Sequence, residues 1–419
     1  LDGHSEVSSY GPQNAAFIDI SNNTFERHNN ARLEISYHNG DYNDATRSLP
    51  LDSTFFTING NSIKGINTGG DGLRIYSNHN PMKWTIKNNT IAQTHRGMYL
   101  RAQKGGKWII ENNTIDSTHN QGIYKENGDA LILGNTIEYA GKYWWNNHNE
   151  FNAVRLYSEA NYPSNDTLKY NTIRHSGAWE NPNNNDIANN IGIGGLVLEG
   201  SLSAVINANN IYDNNGHDVI NLVSKTIETT QDARYNYWGD SATAQINLGG
   251  NPKNITMIHD EYDNSSLGFV NYAGHLDSIN GTPSSMNVLA DLELLDISGA
   301  IALNYSQGDT LRVRVSDADR NVSTTTADTV SVSVSSEKET TPEVIVLTET
   351  GLNTGVFTAN VLFDATSAAS SDGSLQVDAG DKITAKYRDP ADDFGNVQTL
   401  TSISFYAMTQ VTSGPLSGN

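Results

Sequence analysis

The sequence Asn88-Asn89-Thr90-Ile91 recurs 24 residues later as Asn112-Asn113-Thr114-Ile115 and returns in near copies along the first half of the chain. The near copies are Asn22-Asn23-Thr24-Phe25, Gly60-Asn61-Ser62-Ile63, Gly134-Asn135-Thr136-Ile137, Tyr170-Asn171-Thr172-Ile173 and Asn209-Asn210-Ile211. One Asn keeps the same position in every copy. The shortest spacings, 24 and 22 residues, are typical of a β-solenoid rung and are too short for a propeller blade or an ankyrin unit.

Each recurring Asn lies between two short predicted strands. Apolar segments with a period of two precede it, for example Trp84-Thr85-Ile86 and Trp108-Ile109-Ile110. A second strand follows after a turn entered at Gly or Ala, for example Gly97 to Arg101. Stacked strands lie about 4.8 Å apart, so the recurring Asn side chains are expected to stack and to hydrogen-bond along the axis. The pattern therefore predicts a parallel β-helix.

These repeats resemble those of the right-handed β-helix repeat family of secreted and surface proteins, whose rungs read approximately apolar-x-Asn-Asn-x-Ile and then Gly-Ile-x-apolar. The likeness covers about residues 15 to 245. It implies an all-β fold with a right-handed parallel β-helix of about seven or eight rungs. It implies no particular activity, because the family includes polysaccharide lyases, glycoside hydrolases, epimerases, adhesins and structural proteins.

Composition excludes several classes of function. The 419 residues include no Cys, which excludes disulfide bonds, thiolate catalysis and zinc-finger sites. The formal net charge of -21 argues against nucleic acid and anionic membrane surfaces, both of which require basic patches. No apolar run approaches the roughly 20 residues of a membrane-spanning helix. We therefore expect no nucleic-acid partner and no membrane insertion, and cations are favoured as partners.

The repeat ends near Asn236-Tyr237-Trp238-Gly239, which resembles a sequence that often closes such solenoids. Its aromatic side chains are expected to cover the end of the core, which is otherwise an open sheet edge. The turn-forming stretch 280–285 marks a further boundary. We therefore predict a parallel β-helix over residues 1–232, a cap and linker over 233–285, and a second domain over 286–419.

The second domain has alternating strands separated by turn signals, among them Leu311 to Val315, Val330 to Val334 and Ile383 to Tyr387. This pattern predicts an Ig-like β-sandwich. The motifs Val315-Ser316-Asp317-Ala318-Asp319-Arg320-Asn321 and Tyr387-Arg388-Asp389-Pro390 resemble a module of bacterial and archaeal surface-layer and adhesin-type proteins. The resemblance implies a spacer or lattice element outside the cell and seldom implies catalysis.

Two acidic loops of this domain form a candidate calcium site. The candidate ligands are Asp317, Asp319 and Asn321 in the first loop and Asp389, Asp392 and Asp393 in the second. Oxygen side chains on alternate residues are the arrangement by which a short loop wraps a hard cation such as Ca²⁺. An EF-hand is excluded because Val322 stands where that loop requires Gly. The alternative is a pair of solvated turns that are rich in Asp and Asn for backbone reasons.

Alternation in the second strand of each rung places Arg, Tyr and Glu side chains on one outward face. Uronate-cleaving β-helix enzymes use such a face, where Arg or Lys neutralises the substrate carboxylate and Lys, Arg or Tyr acts as the base. If the chain is an enzyme, the candidate catalytic residues are Arg101, Tyr124, Lys125 and Arg155. The simpler interpretation is that these residue types pack well across strands on any outward face.

Long insertions interrupt two neighbouring rungs, from Glu138 to Asn152 and from Arg174 to Gly194. Insertions in repeat proteins collect on one face, often the binding face. The candidate ligand or partner residues are the aromatic side chains Tyr143, Trp144, Trp145 and Trp179. The alternative is that these side chains fold back on their own solenoid.

The favoured functional hypothesis is an extracellular or cell-surface structural protein. It would be a subunit of a surface layer, sheath, fibre or adhesive array that self-associates or binds neighbouring surface proteins, with calcium as its cofactor. One alternative is a secreted polysaccharide lyase or glycoside hydrolase that uses the Arg/Tyr/Glu face. The other is an adhesin that binds polysaccharide without cleaving it.

Overall fold

The structure, a computed structural model, describes residues 4–10, 17–26, 32–38, 55–66, 70–77, 83–102, 106–141, 151–177, 192–225, 230–249, 251–286, 290–323, 325–369, 371–392 and 394–407. The chain divides into two compact units. The first comprises residues 1–248 and 253–285, and the second comprises residues 249–252 and 286–419. Both units are built from β-strands, as the sequence predicted.

Three parallel β-sheets make up the first unit. Within the described residues, sheet 1 has nine strands: His4–Tyr10, Arg32–His38, Leu73–Ser77, Met98–Ala102, Ile123–Glu126, Asn152–Ser158, Gly194–Gly200, His217–Leu222 and Ile258–His259. The nine strands described for sheet 2 are Phe17–Ser21, Phe55–Asn59, Lys83–Lys87, Lys107–Glu111, Asp129–Leu133, Ser164–Lys169, Leu202–Asn207, Thr230–Asp232 and Phe269–Asn271. The seven described for sheet 3 are Thr24–Glu26, Ser62–Lys64, Thr90–Ala92, Thr114–Asp116, Thr136–Glu138, Thr172–Arg174 and Asn210–Tyr212.

Successive strands pass from sheet 1 to sheet 2 to sheet 3 and back to sheet 1, so three strands form one rung. Strands of neighbouring rungs pair in parallel and in register. Trp84 lies beside Trp108, for example, and Ile91 lies beside Ile115. Parallel strands need a long connection, which the other two sheets of each rung provide. The predicted parallel β-helix is confirmed, and its right-handed sense stays a prediction.

A ladder of Asn side chains runs along the axis at the turn between sheets 2 and 3. Each Nδ2 donates to Oδ1 of the equivalent Asn in the next rung, and the backbone N–H donates to the same oxygen, at 2.8 to 3.0 Å. The members are Asn23, Asn61, Asn89, Asn113, Asn135, Asn171, Asn209 and Asn236. The predicted stacking of the recurring Asn is therefore confirmed.

The ladder Asn residues from Asn61 to Asn236 also contact the rung on their other side. Nδ2 of Asn113 donates to the backbone carbonyl of Ile86 at 2.9 Å, and Nδ2 of Asn135 donates to that of Ile110 at 2.9 Å. One side chain thus accepts two N–H groups and donates to two oxygens across three rungs. Only an amide has donors and an acceptor in this arrangement, which explains why Asn recurs where the tight turn exposes backbone polar groups.

Apolar columns fill the interior of the β-helix. In sheet 3, the column of buried side chains is Ile63, Ile91, Ile115, Ile137, Ile173 and Ile211. In sheet 2, the rings of Phe56 and Trp84 stack with centroids 4.0 Å apart, and those of Trp84 and Trp108 stack at 5.7 Å. Because side chains alternate along a strand, every second residue enters this core and its neighbours face outward. Each rung is therefore stabilised by burying apolar area against the next.

The stack extends into the segment for which the sequence predicted a cap. Asn236 continues the ladder, and the strands Ile258–His259 and Phe269–Asn271 pair in parallel with sheets 1 and 2. Trp238 is buried and precedes the helix Gly239–Asn247. Among the described residues, no helix is long and apolar enough to cross a membrane.

The second unit is a sheet of mainly antiparallel strands. Its nine strands in the described ranges are Asp291–Leu295, Asn304–Tyr305, Thr310–Ser316, Thr329–Ser335, Glu343–Glu349, Val356–Asp364, Ser374–Gln376, Lys382–Asp389 and Gln398–Tyr406. A short 3-10 helix, Ala318–Arg320, follows the third strand. Inward side chains such as Val313, Val332 and Phe357 form one core. The hydrogen bonds join the strands in one continuous sheet, and the Ig-like arrangement stays a prediction.

Removing one ladder side chain is expected to destabilise the first unit. Asn113→Ala takes the acceptor from the buried backbone N–H of Asn89, and we expect the free energy of unfolding to fall by about 2 kcal/mol. Thr114→Ala, at the exposed neighbouring position, is the matched control and should change it by less than about 0.5 kcal/mol. Urea unfolding followed by Trp fluorescence reports on the first unit, because its residue ranges contain all six Trp residues. Equal effects of the two substitutions would contradict the role of the ladder.

Candidate functional sites

Two columns of polar side chains lie on the outward face of sheet 1. The register aligns Arg74, Tyr99, Tyr124 and Arg155 in one column and Tyr76, Arg101, Glu126, Tyr157 and Glu199 in the other. Strand alternation directs these side chains outward while the residues between them enter the core. They form the outward face of Arg, Tyr and Glu that strand alternation predicted.

Charges on this face pair from rung to rung. Arg101 Nε lies 3.0 Å from Glu126 Oε1, and Arg155 Nε donates to Glu199 Oε2 at 3.0 Å. Tyr99 also donates from its hydroxyl to Glu126 Oε2 at 3.3 Å. Burial raises the pKa of the Glu126 carboxyl, against the opposing effect of Arg101. Both carboxylates therefore have basic partners that a neighbouring rung supplies.

Rings and guanidinium groups stack along the same columns. Tyr99 and Tyr124 stack with ring centroids 5.2 Å apart, and the Arg155 guanidinium lies 5.5 Å from the centroid of the Tyr124 ring. The Arg74 guanidinium lies 4.6 Å from the Tyr76 ring centroid and donates to its hydroxyl at 2.6 Å. Such contacts each stabilise a strand face by roughly 0.2 to 1 kcal/mol. Two of the predicted catalytic residues, Tyr124 and Arg155, are thus in contact with each other.

The prediction that Lys125 lies on this face with Tyr124 is wrong. Its side chain is completely buried, because alternation turns residue 125 inward when Tyr124 points outward. Nζ lies 2.9 Å from Oδ2 of Asp166, which is also completely buried. A lysine enclosed in this way has no access to a polysaccharide on the outer surface and does not serve as its base.

Sequence reasoning missed Asp166 and the serine hydroxyls beside it. Leu168 faces the core, so alternation along Ser164–Lys169 also turns Asp166 and Ser164 inward. A polar residue two positions from an inward apolar residue of the same strand, as Asp166 is from Leu168, was therefore a usable signal. The same alternation applied to Tyr124 predicts that Lys125 is buried.

The aromatic residues of the two insertions, which the sequence favoured as ligand or partner contacts, lie outside the described residues. They are Tyr143, Trp144, Trp145 and Trp179. Their role stays a prediction.

The two acidic loops of the second unit converge, as the sequence predicted. One oxygen from each of Asp317, Asp319 and Asp389 lies within 4.8 Å of the other two. Asp317 is the N-cap of the 3-10 helix, and Asp389 is the last residue of its strand. The side chains of Asp317 and Asp389 are almost completely buried, with 2% and 0% of their surface exposed. Two carboxyl groups are thus enclosed at this point, and the partly buried carboxyl group of Asp319 lies beside them.

Hydrogen bonds orient the carboxyl groups of Asp317 and Asp389. The Tyr387 hydroxyl donates to Asp317 Oδ2 at 2.6 Å, and Gln398 Nε2 donates to Asp389 Oδ2 at 2.8 Å. Oδ1 of Asp319 is buried and has no hydrogen-bond partner among the described residues. Tyr387 and Gln398 are neutral donors, so they position the carboxylate oxygens without neutralising their charge. Neither partner was found from sequence, because a hydrogen bond between separate strands leaves no local pattern.

The electrostatics of this cluster favour a bound proton or a cation. Burial raises the pKa of the Asp319 carboxyl to about 9, and the adjacent Asp317 and Asp389 add to the effect. Burial also raises the pKa of Asp389. Carboxylate oxygens are the ligands that Ca²⁺ prefers, and a divalent cation would replace the proton at this point. The arrangement is chemically suited to calcium.

The other predicted ligands that the structure describes, Asn321 and Asp392, make hydrogen bonds of their own. Asn321 Nδ2 donates to Asn353 Oδ1 at 2.8 Å, and Asn321 Oδ1 is buried without a hydrogen-bond partner in the described residues. Asp392 Oδ1 accepts the backbone N–H of Phe394 and of Asn396, each at 2.9 Å, and so closes its own turn. Asp393 lies outside the described residues.

No family model matches the chain, and no curated protein matches its sequence. Among solved structures, it is similar to full-length tailspike protein 2 from Escherichia coli O157:H7 bacteriophage CAB120, at 9% identity and a TM-score of 0.26, over 94% of this chain and 59% of that one. It is also similar to the enzymatically active domain of tailspike protein 2 of bacteriophage CBA120, at 8% identity and a TM-score of 0.26, over 94% and 66%. The chain spans less than two thirds of either structure. TM-scores this low carry no argument about function.

Without a divalent cation, the second unit is expected to lose stability as pH rises from about 4 to about 9. The pKa of Asp319 is raised from an unfolded value of about 3.9 to about 9, so the folded unit binds more protons in this window and its free energy of unfolding falls as pH rises. The measurement is urea unfolding in chelator at several pH values. A hydrogen-exchange pulse at fixed pH reports how much of strand Lys382–Asp389 is unfolded, and the free energies give the slope against pH.

Asp319→Asn should flatten this slope, because the amide carries no charge at any pH. Glu337→Gln removes an exposed carboxyl of the same unit and is the matched control, which should leave the slope unchanged. An unaltered slope in Asp319→Asn would refute the assignment of the raised pKa to this cluster.

Proposed function

We propose that the chain is an extracellular or cell-surface structural protein, a subunit of a surface layer, sheath, fibre or adhesive array. In this proposal a rigid β-helix is joined to an Ig-like spacer that binds calcium. The observation that carries the proposal is the rung-to-rung pairing of charged side chains on the outward face of sheet 1.

This pairing argues for a scaffold and against a lyase or hydrolase. A catalytic acid or base must point at the reacting group of the substrate, and its pKa must suit proton transfer at the working pH. Here Glu126 is held by Arg101, and Glu199 is held by Arg155. Lys125, one of the candidate bases, is enclosed in the core. The charged groups of this face therefore stabilise the stack, as expected of a structural rod.

The acidic cluster of the second unit supports an extracellular location. Calcium sites of extracellular modules bind with Kd values of about 10⁻⁴ to 10⁻³ M. Asp317, Asp319 and Asp389 supply three carboxyl groups, fewer than the six to eight oxygen ligands that Ca²⁺ takes, so other oxygens would complete its coordination. A site of this kind fits the millimolar calcium found outside cells. Calcium would neutralise the cluster and fix the two loops that carry it.

The structural role predicts that the purified chain does not depolymerise polysaccharides. Incubation with a panel of uronate-containing and neutral polysaccharides should release neither unsaturated ends nor reducing sugars. Release of products that is lost in Arg155→Ala but retained in Arg174→Ala, a matched variant at another Arg–Glu pair on sheet 3, would overturn the proposal in favour of an enzyme. Binding without cleavage is the outcome expected of an adhesin. Electron microscopy of the native material tests the array itself.

Calcium is expected to stabilise the second unit. At a concentration of about 100 times Kd, binding adds roughly 2.7 kcal/mol, which corresponds to an increase of about 10 °C in the melting temperature of a unit of this size. The shift should be lost in Asp389→Asn and kept in Glu337→Gln, which removes an exposed carboxyl elsewhere in the unit. An identical melting temperature in calcium and in chelator would contradict the calcium site.

A further inference from the structure

A polar pair lies within the apolar interior of the β-helix. Lys125 takes a core position of sheet 1 between Leu100 and Leu156 of the neighbouring rungs. Asp166 takes a core position of sheet 2 beside Ala204 of the next rung. Both side chains are 0% exposed, and Lys125 Nζ lies 2.9 Å from Asp166 Oδ2. An amine and a carboxyl group are thus held in contact where the structure gives water no access.

The adjacent rungs fill the corresponding positions with apolar side chains. In sheet 2 the residue beside Trp108 in the next rung is Ala130, and this change from a large to a small side chain leaves room for the long Lys125 side chain. Ser158 and Ser164 line the remaining space, and their hydroxyl oxygens are 2.6 Å apart. The pair therefore has a specific polar lining and lies between rungs with apolar side chains at the corresponding positions.

The lining orients the amine. Nζ of Lys125 donates to the carbonyl oxygen of Gly128 at 3.0 Å and lies 3.0 Å from Ser164 Oγ and 3.3 Å from Ser158 Oγ. A neutral amine keeps two hydrogens and one lone pair. If Gly128 and one serine accept the two hydrogens, the lone pair is directed at the carboxyl group of Asp166.

The lining also activates the carboxyl group. The backbone N–H of Ala130 donates to Asp166 Oδ1 at 2.8 Å, and the Ser164 hydroxyl donates to Oδ2 at 3.1 Å. A donor fixed on Oδ1 stabilises the negative charge that develops there when a nucleophile attacks Cγ, as an oxyanion hole does. A hydroxyl on Oδ2 is in position to deliver a proton to the leaving oxygen.

Burial favours the reactive protonation states of both groups. It lowers the pKa of Lys125 and raises the pKa of Asp166, while the attraction between the two charges acts in the opposite direction. Transfer of one proton from the ammonium to the carboxylate removes both charges from the low-dielectric interior. The product of that transfer is a free amine beside a carboxylic acid.

We propose that Lys125 and Asp166 condense to an intramolecular amide bond within the β-helix. Nζ attacks Cγ, the N–C bond forms, and the bond between Cγ and Oδ2 breaks. The proton that Nζ loses passes through the Ser164 hydroxyl to Oδ2, which departs as water. The step consumes one amine and one carboxylic acid, releases one water and requires no oxidant or other reactant.

The bond would join sheet 1 to sheet 2 across the core of adjacent rungs. It closes a loop between residues 41 positions apart, which includes the first long insertion. The two rungs that carry Lys125 and Asp166 would then stay covalently joined even when the stack unfolds. The cross-link is independent of the calcium site and of the role proposed for the outer face.

Mass spectrometry of the folded, purified full-length chain tests the proposal. After prolonged incubation at neutral pH, the intact mass is expected to be lower than the sequence mass by one water. Protease digestion should then give one branched peptide that contains both Lys125 and Asp166. A folded chain at its full sequence mass, with the two residues in separate peptides, would overturn the proposal and leave an ion pair only.

Two variants locate the chemistry. Lys125→Met should keep the full sequence mass, and a loss of water in this variant would place the dehydration elsewhere and refute the assignment. Ser164→Ala removes the proton relay and should slow the mass change by about 100-fold, whereas Ser203→Ala, at an exposed position of the next sheet 2 strand, should not slow it. An unchanged rate in Ser164→Ala would refute the relay. Because Lys125→Met also alters the core, the mass of the unaltered chain decides the proposal.

Discussion

The hydrogen bond from one Asn side chain to the next is the interaction on which the first unit depends. Each amide bonds backbone groups of the preceding rung and the Asn side chain of the next rung, as at Asn113. A shift of one rung by a single residue would break these bonds and would also turn every core side chain outward. The ladder therefore fixes the register, and the register fixes which side chains meet.

Given that register, the chemistry of each surface follows from columns of side chains. Outward columns bring Arg101 to Glu126 and Arg155 to Glu199, so charges on the face are balanced between neighbouring rungs. Inward columns are mainly apolar, and Lys125 and Asp166 form a buried charged pair within them. A buried charged pair is seldom a net source of stability compared with apolar side chains. Its presence in this core is the feature that simple stacking does not explain.

The sequence was sufficient for the features that repeat. The recurring Asn, the apolar columns and the outward Arg, Tyr and Glu columns follow from period and alternation, and the structure confirms them. The sequence was insufficient where one residue differs in polarity from its neighbours in the same column. Lys125 has a residue type that suits the outward catalytic face, but strand alternation from Tyr124 turns it inward. The contact with Asp166 joins different sheets 41 residues apart, which no local pattern encodes.

The acidic cluster shows the same limit in the second unit. Alternating oxygen side chains pointed to Asp317 and Asp319, and a second acidic loop pointed to Asp389. The loops meet because their strands belong to one sheet, whereas the donors from Tyr387 and Gln398 depend on strand pairing that the sequence does not specify. Spacing was therefore enough to point to three carboxyl groups that lie close together, and not enough to identify the side chains that hold them.

Native-state hydrogen exchange tests the central claim most directly, because it reports on the ladder along the whole stack. The backbone amides of Asn89, Asn113 and Asn135 donate to side chains of the next rung and are buried. The account predicts that they exchange only through unfolding of the stack, with the slowest rates in the chain. Exchange of these amides as fast as that of exposed loops would contradict it.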